Sequence, residues 1–181
     1  MSKTKIVTGL VRFSYMHVLE PYAHNEGEDP KYSMSVLIKE DDKATLKKID
    51  SAIKAAIEEG KEKHGWKSTK TLKLPLRDGE EREENEEYLG MKFLNASSKR
   101  RPQIVDASLN PIIDEDEIYS GAWGRVSLNF YPFQVSGNKG VAVGLNNIQK
   151  LKDDDRLGGS AASAEEDFDD GFGDDFDDED L

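Results

Sequence analysis

Apolar and polar residues alternate over several short stretches of the first 152 residues, and each stretch predicts a β-strand. The clearest is 31–39, where Tyr32, Met34, Val36 and Ile38 fall on one face and lysines and serines on the other. Such a strand buries one face in a core and exposes the other to water. β-Branched and aromatic residues predict further strands at 6–18, 71–76, 88–96, 103–107, 122–135 and 140–151.

A period of three to four residues replaces this alternation between positions 41 and 59 and predicts one amphipathic helix packed on the sheet. The apolar residues at helical spacing are Leu46, Ile49, Ile53, Ala56 and Ile57. Asp41 and Asp42 are suited to cap the N-terminus, and Gly60 or Gly65 is expected to end the helix.

The turn Ser136–Lys139 joins two of the predicted strands into a hairpin, because glycine and asparagine within it accept a positive φ. The chain is therefore predicted to be mainly β with one long helix, arranged as a small barrel or sandwich.

Charge divides the chain into two parts. The formal net charge is -12, from 25 basic and 37 acidic residues, but 14 of the acidic residues and one of the basic residues lie at 153–181. Residues 1–152 are thus nearly neutral, at +1, and we expect them to form one domain. Residues 153–181 carry -13 and contain the Gly158–Ser163 linker, so we expect a disordered acidic tail.

Two roles are predicted for this tail. A tethered polyanion resembles nucleic acid electrostatically and would compete with DNA for a basic groove. Its spaced aromatic residues and its acidic end would also dock on partner proteins; these residues are Phe168, Phe172, Phe176, Asp177, Asp178, Glu179, Asp180 and Leu181. A tail that only increases solubility is the alternative.

The strand at 122–135 has an unusual second face. Val126, Leu128 and Phe130 form the apolar face, whereas Trp123, Arg125, Tyr131 and Phe133 share the other with small polar residues. Flat rings beside a cation are suited to stacking with nucleic-acid bases. The alternatives are that these rings pack as a second core layer and that a bulge at Pro132 moves Phe133 to the opposite face.

Basic residues elsewhere would extend this surface into a positive groove, although scattered lysines and arginines also serve solubility alone. The complete set of candidate DNA-binding residues is Arg12, Lys31, Lys99, Arg100, Arg101, Trp123, Arg125, Tyr131 and Phe133.

Catalytic chemistry has little support in the sequence. The chain has no cysteine, and His17, His24 and His64 lack metal-ligand spacing. Neither a phosphate-cradling glycine motif nor GxSxG occurs. We therefore expect no catalytic residue, metal or cofactor. No signal peptide or membrane-length apolar run is visible, so a cytoplasmic location is expected.

Four stretches resemble one protein family. They are KTKIVTGLVRFSYMHVLEPYA, DPKYSMSVLIKEDD, NASSKRRPQIVDASLNPIIDEDEIYSGAWGRVSLNFYPF and VSGNKGVAVGLNNIQKLKDDDRLGG. In this order they resemble phage-encoded single-stranded DNA-binding proteins that have one OB-fold domain and an acidic C-terminal tail. The resemblance implies an OB-fold-like β-barrel, a role in phage DNA replication or recombination, and tail contacts with replication or recombination proteins.

One feature departs from the family's simple pattern. A simple OB-fold has its helix between the third and fourth strands, whereas the helix here follows the second clear strand. Either the stretch 6–18 contains two strands or the barrel is elaborated.

The expected function is non-catalytic, largely sequence-independent binding of single-stranded DNA. A DNA mimic or adaptor that acts through the acidic tail is the alternative, and a metal-dependent nuclease is a third hypothesis. Whether the chain acts alone or as a homodimer is left open by the sequence.

Overall fold

The computed structural model describes residues 3–23, 25–82 and 85–157. All eight predicted partner-binding residues of the tail lie outside this part of the chain, and so does His24.

The described chain forms eight strands and one long helix. The strands are β1 (Lys5–Val7), β2 (Val11–Tyr22), β3 (Lys31–Lys39), β4 (Arg77–Asp78), β5 (Met91–Ser98), β6 (Gln103–Val105), β7 (Trp123–Val135) and β8 (Asn138–Lys152); the helix α1 is Lys43–His64. Two short 3-10 turns, Gly79–Arg82 and Glu86–Tyr88, lie between β4 and β5.

Five of the strands close into a barrel in the order β2–β3–β5–β8–β7, with β7 pairing back onto β2. The β5–β8 pair is parallel, and the other pairs of the barrel are antiparallel. A closed five-stranded barrel of this kind is OB-like, which confirms the predicted fold class. The short strands β1, β4 and β6 add to β7, β5 and β8.

The helix α1 connects β3 to β5, the second and third strands of the barrel. The Asp42 carboxylate accepts a 3.1 Å hydrogen bond from the Thr45 backbone N–H and caps its N-terminus. Gly65, at a φ of 68°, forms the left-handed C-cap, whereas Gly60 stays within the helix against the Trp66 ring. No helix in the described part of the chain is long and apolar enough to cross a membrane.

Three strand predictions differ from the structure. The stretch 6–18 is two strands, because the Thr8 side chain accepts from the Val126 N–H and the Gly9 N–H donates to the Thr45 hydroxyl of α1, which interrupts the regular ladder. The stretch 71–76 forms only an isolated bridge at Lys73, followed by Pro75, which has no N–H to donate to a ladder. The strand predicted at 88–96, which is β5, starts at Met91, because Tyr88 belongs to a 3-10 turn.

The hairpin of β7 and β8 is confirmed, with a tighter turn than predicted. Ser136 and Gly137, at φ values of 48° and 84°, are the only residues between the two strands. Asn138, expected in the turn, already belongs to β8.

The protein has two hydrophobic cores. The larger fills the barrel and the space under α1, and it contains the predicted inward residues Met34, Val36 and Ile38. A smaller one, here called the outer core, covers part of the outside of β3 and β5. Its members are Leu37, Tyr88, Met91, Phe93, Trp123 and Leu157. The rest of this outer face remains open and forms a groove.

Candidate nucleic-acid interface

The groove encloses about 1060 Å³ on the outer face of β2, β3 and β5. The strand register explains its depth, because the outward positions of neighbouring strands carry small polar side chains. Ser33 pairs with Ser97, and Ser35 pairs with Asn95. The remaining walls consist of Tyr15, His17, Tyr22, Glu28, Asp29, Lys31, Met34, Arg82, Ala96 and Lys99.

The floor of the groove is held by a buried polar network. Tyr88 Oη donates to Ser14 Oγ at 3.1 Å, and Ser35 Oγ donates to Asn95 Oδ1 at 2.5 Å. Burial raises the pKa of the Tyr88 hydroxyl, so this group stays protonated and remains a donor at neutral pH. The network fixes the side chains beneath the groove.

Tyr15 projects from an irregularity in β2. Ser14 pairs with Ser35 and His17 pairs with Ser33, so β2 advances by three residues where β3 advances by two. The additional residue is accommodated at Tyr15, which has a φ of 47°. A bulge of this kind redirects a side chain at the cost of local strain. The Tyr15 ring is 40% exposed at the groove wall, where it is available to a ligand.

Arg82 joins this wall to the outer core. Its guanidinium carbon lies 5.2 Å from the centre of the Tyr15 ring, 5.5 Å from Tyr88 and 5.0 Å from Phe93. Asn85 Nδ2 also donates to Tyr15 Oη at 3.3 Å. The cation is thereby held over one face of the Tyr15 ring at the wall of the groove.

A second aromatic surface lies further along β2. The His17 and Tyr22 rings stack with a 4.4 Å centroid distance and an 11° interplanar angle, and Tyr22 is 47% exposed. Lys31 pairs with Tyr22 across β2 and β3. Two ring surfaces, Tyr15 and the His17–Tyr22 stack, are thus in one groove.

Two of the nine predicted DNA-binding residues line this groove, namely Lys31 and Lys99. Both are exposed at its rim, together with the carboxylates of Glu28 and Asp29. Arg100 and Arg101 follow Lys99 in an exposed turn after β5. The basic cluster at 99–101 therefore lies at one end of the groove.

Trp123 lies on the predicted face of β7, but it is buried at 8% exposure and belongs to the outer core. Trp123 is therefore not an exposed stacking ring but part of a second core layer, the alternative that the sequence left open. The segment 153–157, called the C-terminal strap below, covers the indole. Trp123 Nε1 donates to Asp154 Oδ2 at 2.8 Å, and Leu157 packs in the same core.

Arg12 lies beside Trp123 on the same barrel face as the groove, since the two residues pair across β2 and β7. Its guanidinium contacts Asp154 Oδ2 at 3.4 Å and donates to the Asp155 carbonyl at 3.1 Å. Lys39 and Lys152 ammonium groups lie 5.1 and 5.6 Å from the Trp123 ring centre. The strap therefore places an acidic residue on a cationic, aromatic surface.

Contacts with the barrel lower the pKa values of two carboxylates in the strap. The hydrogen bond from Trp123 is the main cause that lowers the pKa of Asp154. The pKa of Asp153 is lowered first by Lys150 and then by Tyr119, whose hydroxyl donates to Asp153 Oδ1 at 2.7 Å. Both groups are therefore anionic at neutral pH.

Arg125, Tyr131 and Phe133 share the outward face of β7, but none of them lines the groove. Arg125 Nε donates to the Thr8 carbonyl at 3.1 Å, and Tyr131 is 41% exposed. Pro132 causes no bulge, because the pairing runs through Pro132 and Phe133 without a shift. The structure thus separates these residues from Lys31 and Lys99.

Twelve of the fourteen groove residues were not among the candidates predicted from sequence, and those suited to stack or bond with a base are Tyr15, His17, Tyr22, Arg82 and Asn95. The bulge at Tyr15 and the pairing of β3 with β5 bring them together, and neither has a distinct sequence signal. Within the described ranges, no group of three histidine, aspartate or glutamate residues is placed to hold a metal ion.

A protein-family model and one related phage protein each match most of the chain. The model of the family described as the ssDNA-binding protein of Enterobacter phage Enc34 matches residues 4–181. Protein p50 of Acyrthosiphon pisum secondary endosymbiont phage 1 is 30% identical in an alignment of 176 positions that covers 92% of this chain and 93% of that protein.

Solved structures share the fold. The single-stranded DNA-binding protein of bacteriophage Enc34 in complex with ssDNA superposes with a TM-score of 0.75 at 27% identity, over 87% of this chain and 91% of that one. Bacteriophage T7 gp2.5, a single-stranded DNA-binding protein, has a TM-score of 0.58 at 14% identity, over 90% of this chain and 99% of that one. The similarity to gp2.5 supports the fold alone.

Proposed function

Because the chain belongs to the family of the Enterobacter phage Enc34 single-stranded DNA-binding protein, we propose that it binds single-stranded DNA in the groove of β2, β3 and β5. The main support for this proposal is that one groove contains Tyr15, the His17–Tyr22 stack and two rim lysines. OB-folds bind oligonucleotides on the face of their second and third strands, which here are β3 and β5.

The residue types support binding that is largely independent of sequence. Every base has a π face that can stack on Tyr15 or on the His17–Tyr22 pair. Lys31, Lys99, Arg100 and Arg101 supply positive charge for the phosphates, and phosphate contacts carry no base information. The protein acts by holding the strand rather than by catalysis.

The acidic tail competes with DNA in this proposal. The strap supports it, because Asp154 already occupies Arg12 and the Trp123 indole at one end of the barrel face. The tail that follows carries 11 acidic residues and no basic one, so it is suited to the same cations. Single-stranded DNA would displace the tail and release it to bind replication or recombination proteins of the phage-infected bacterial cytoplasm.

A salt titration tests this function. The binding of a fluorescently labelled oligo-dT to the full chain is measured by anisotropy at several salt concentrations. If Lys31 and the 99–101 cluster neutralise four phosphates, log K falls against log[salt] with a slope of about -2.8. No binding at any salt concentration, even after the tail is removed, would instead favour a DNA mimic. Cleavage of the oligonucleotide with Mg²⁺ would indicate a nuclease.

A further inference from the structure

Asn95 lines the groove, on the outward side of β5. Its side chain is exposed, whereas Ser35 beneath it is only 2% exposed. Ser35 Oγ donates to Asn95 Oδ1. The carbonyl end of the amide is therefore directed to the floor of the groove.

This orientation is fixed from below. Ser35 pairs with Asn95 on one side and with Ser14 on the other, so the three residues form a row across β2, β3 and β5. Ser14 accepts from Tyr88 Oη at 3.1 Å, and Tyr88 is completely buried. With the amide in this orientation, the Ser35 hydroxyl has its acceptor in Asn95 and the Tyr88 hydroxyl has its acceptor in Ser14, so the row of buried hydroxyls is satisfied.

The amide thus presents its amino end to the groove. Among the described residues, Asn95 Nδ2 donates to no other side chain or carbonyl, and an amide nitrogen carries two N–H donors. Bases differ at the position that such a donor would meet. Thymine and guanine carry a carbonyl oxygen there, at O4 and O6, whereas cytosine and adenine carry an amino group that is itself a donor.

We propose that Asn95 is a specificity-determining residue that favours a keto base, thymine or guanine, at one nucleotide of the bound strand. Ser35 is the positioning residue that directs the amide. This inference rests on the proposed function, since it assumes that bases enter the groove. It adds one modest preference to otherwise sequence-independent binding.

Oligo-dT and oligo-dC of equal length are the probes, because both are pyrimidines; they differ in O4 and N3–H against the N4 amino group and N3, and in the thymine methyl group. We expect the full chain to bind oligo-dT about 3- to 10-fold more tightly than oligo-dC, as one hydrogen bond implies. Asn95→Ala is expected to bring this ratio close to one. Asn95→Asp replaces the donor with an acceptor and should reverse the ratio, because a carboxylate accepts from the cytosine amino group.

Ser35→Ala tests the positioning role. It keeps Asn95 but removes the donor that fixes its carbonyl, so we expect the ratio to fall towards one while binding to oligo-dT persists. An abasic oligonucleotide of the same length separates base contacts from phosphate contacts: the Asn95→Ala substitution should leave its affinity unchanged.

The outcomes separate the two levels of the argument. A wild-type chain that binds neither oligonucleotide contradicts the proposed function itself. A chain that binds both, with a dT-to-dC ratio that Asn95→Ala and Asn95→Asp leave unaltered, overturns the role of Asn95 alone. Loss of abasic-strand binding in Asn95→Ala would also overturn it, because Asn95 would then contact phosphate.

Discussion

Trp123 Nε1 donates a 2.8 Å hydrogen bond to the Asp154 carboxylate, and this contact fastens the C-terminal strap to the barrel face that also carries the groove. The same carboxylate is 3.4 Å from Arg12. The first residues after β8 therefore cover a cationic and aromatic part of the protein that sequence alone assigned to DNA. We expect DNA to reach this part only when the strap is released.

Removal of the Asp154 side chain should open the strap. We expect Asp154→Ala to increase acrylamide quenching of Trp123 fluorescence, measured in a Trp66→Phe background so that only one indole contributes. Asp155→Ala is the matched control, because it removes the same charge from the strap but leaves the bond to Trp123 in place. Equal quenching in both variants would contradict the role of Asp154.

Acidification should open the strap as well. The pKa values of Asp153 and Asp154 are lowered in the folded protein, so their contribution to strap closure is present above the unfolded value of about 3.9 and is lost as the pH falls below it. We expect Trp123 quenching to rise below about pH 4 and to stay constant between pH 5 and 8. In Asp154→Asn the acid-dependent rise should be smaller; an unchanged rise would point to global unfolding instead.

Tyr15 is expected to stack on a base. Tyr15→Ala should weaken oligo-dT binding by about 1–3 kcal/mol, whereas Tyr15→Phe keeps the ring and should bind nearly as well as the wild type. Because the ring is partly exposed, we expect little change in the urea midpoint of either variant. A large loss of stability with unchanged DNA affinity would assign Tyr15 to packing rather than to binding.

The fold was predictable to the extent that local patterns determine it. The alternation over 31–39 and the period of α1 correspond to the observed elements, and Asp42 and Gly65 delimit the helix as expected. The break at Thr8 was not predictable in this way, because it depends on hydrogen bonds to Val126 and Thr45, which are remote in sequence.

The site was predictable only in part for the same reason. Strand parity correctly placed Trp123 on the outward face of β7, but parity does not reveal that Leu157 and Asp154 cover that face. Lys31 was proposed from its charge and its place on the polar face of a strand, and Lys99 from its basic cluster. Tyr15 and Asn95 enter the groove through a bulge and a strand register, which are properties of the closed barrel.

The effect of a C-terminal truncation on DNA affinity and stability should depend on where the chain ends. A chain ending at Leu157 retains the strap, and we expect it to bind oligo-dT more tightly than the full chain at low salt, because the competing polyanion is absent. A chain ending at Lys152 also loses Leu157 from the outer core and the hydrogen bond from Trp123 to Asp154, so its unfolding midpoint should fall. If removal of 158–181 left the affinity unchanged or weaker, competition by the tail would be contradicted.

Charge reversal at the groove rim tests the central claim most directly. The double variant Lys31→Glu with Lys99→Glu is compared with Lys47→Glu with Lys63→Glu, which makes the same charge change at exposed positions of α1 outside the groove. Anisotropy with oligo-dT should show at least about a tenfold loss for the rim variant, and a salt slope smaller by about 1.4, with little change for the helix variant. Equal losses in the two variants would contradict the groove of β2, β3 and β5 as the binding site for single-stranded DNA.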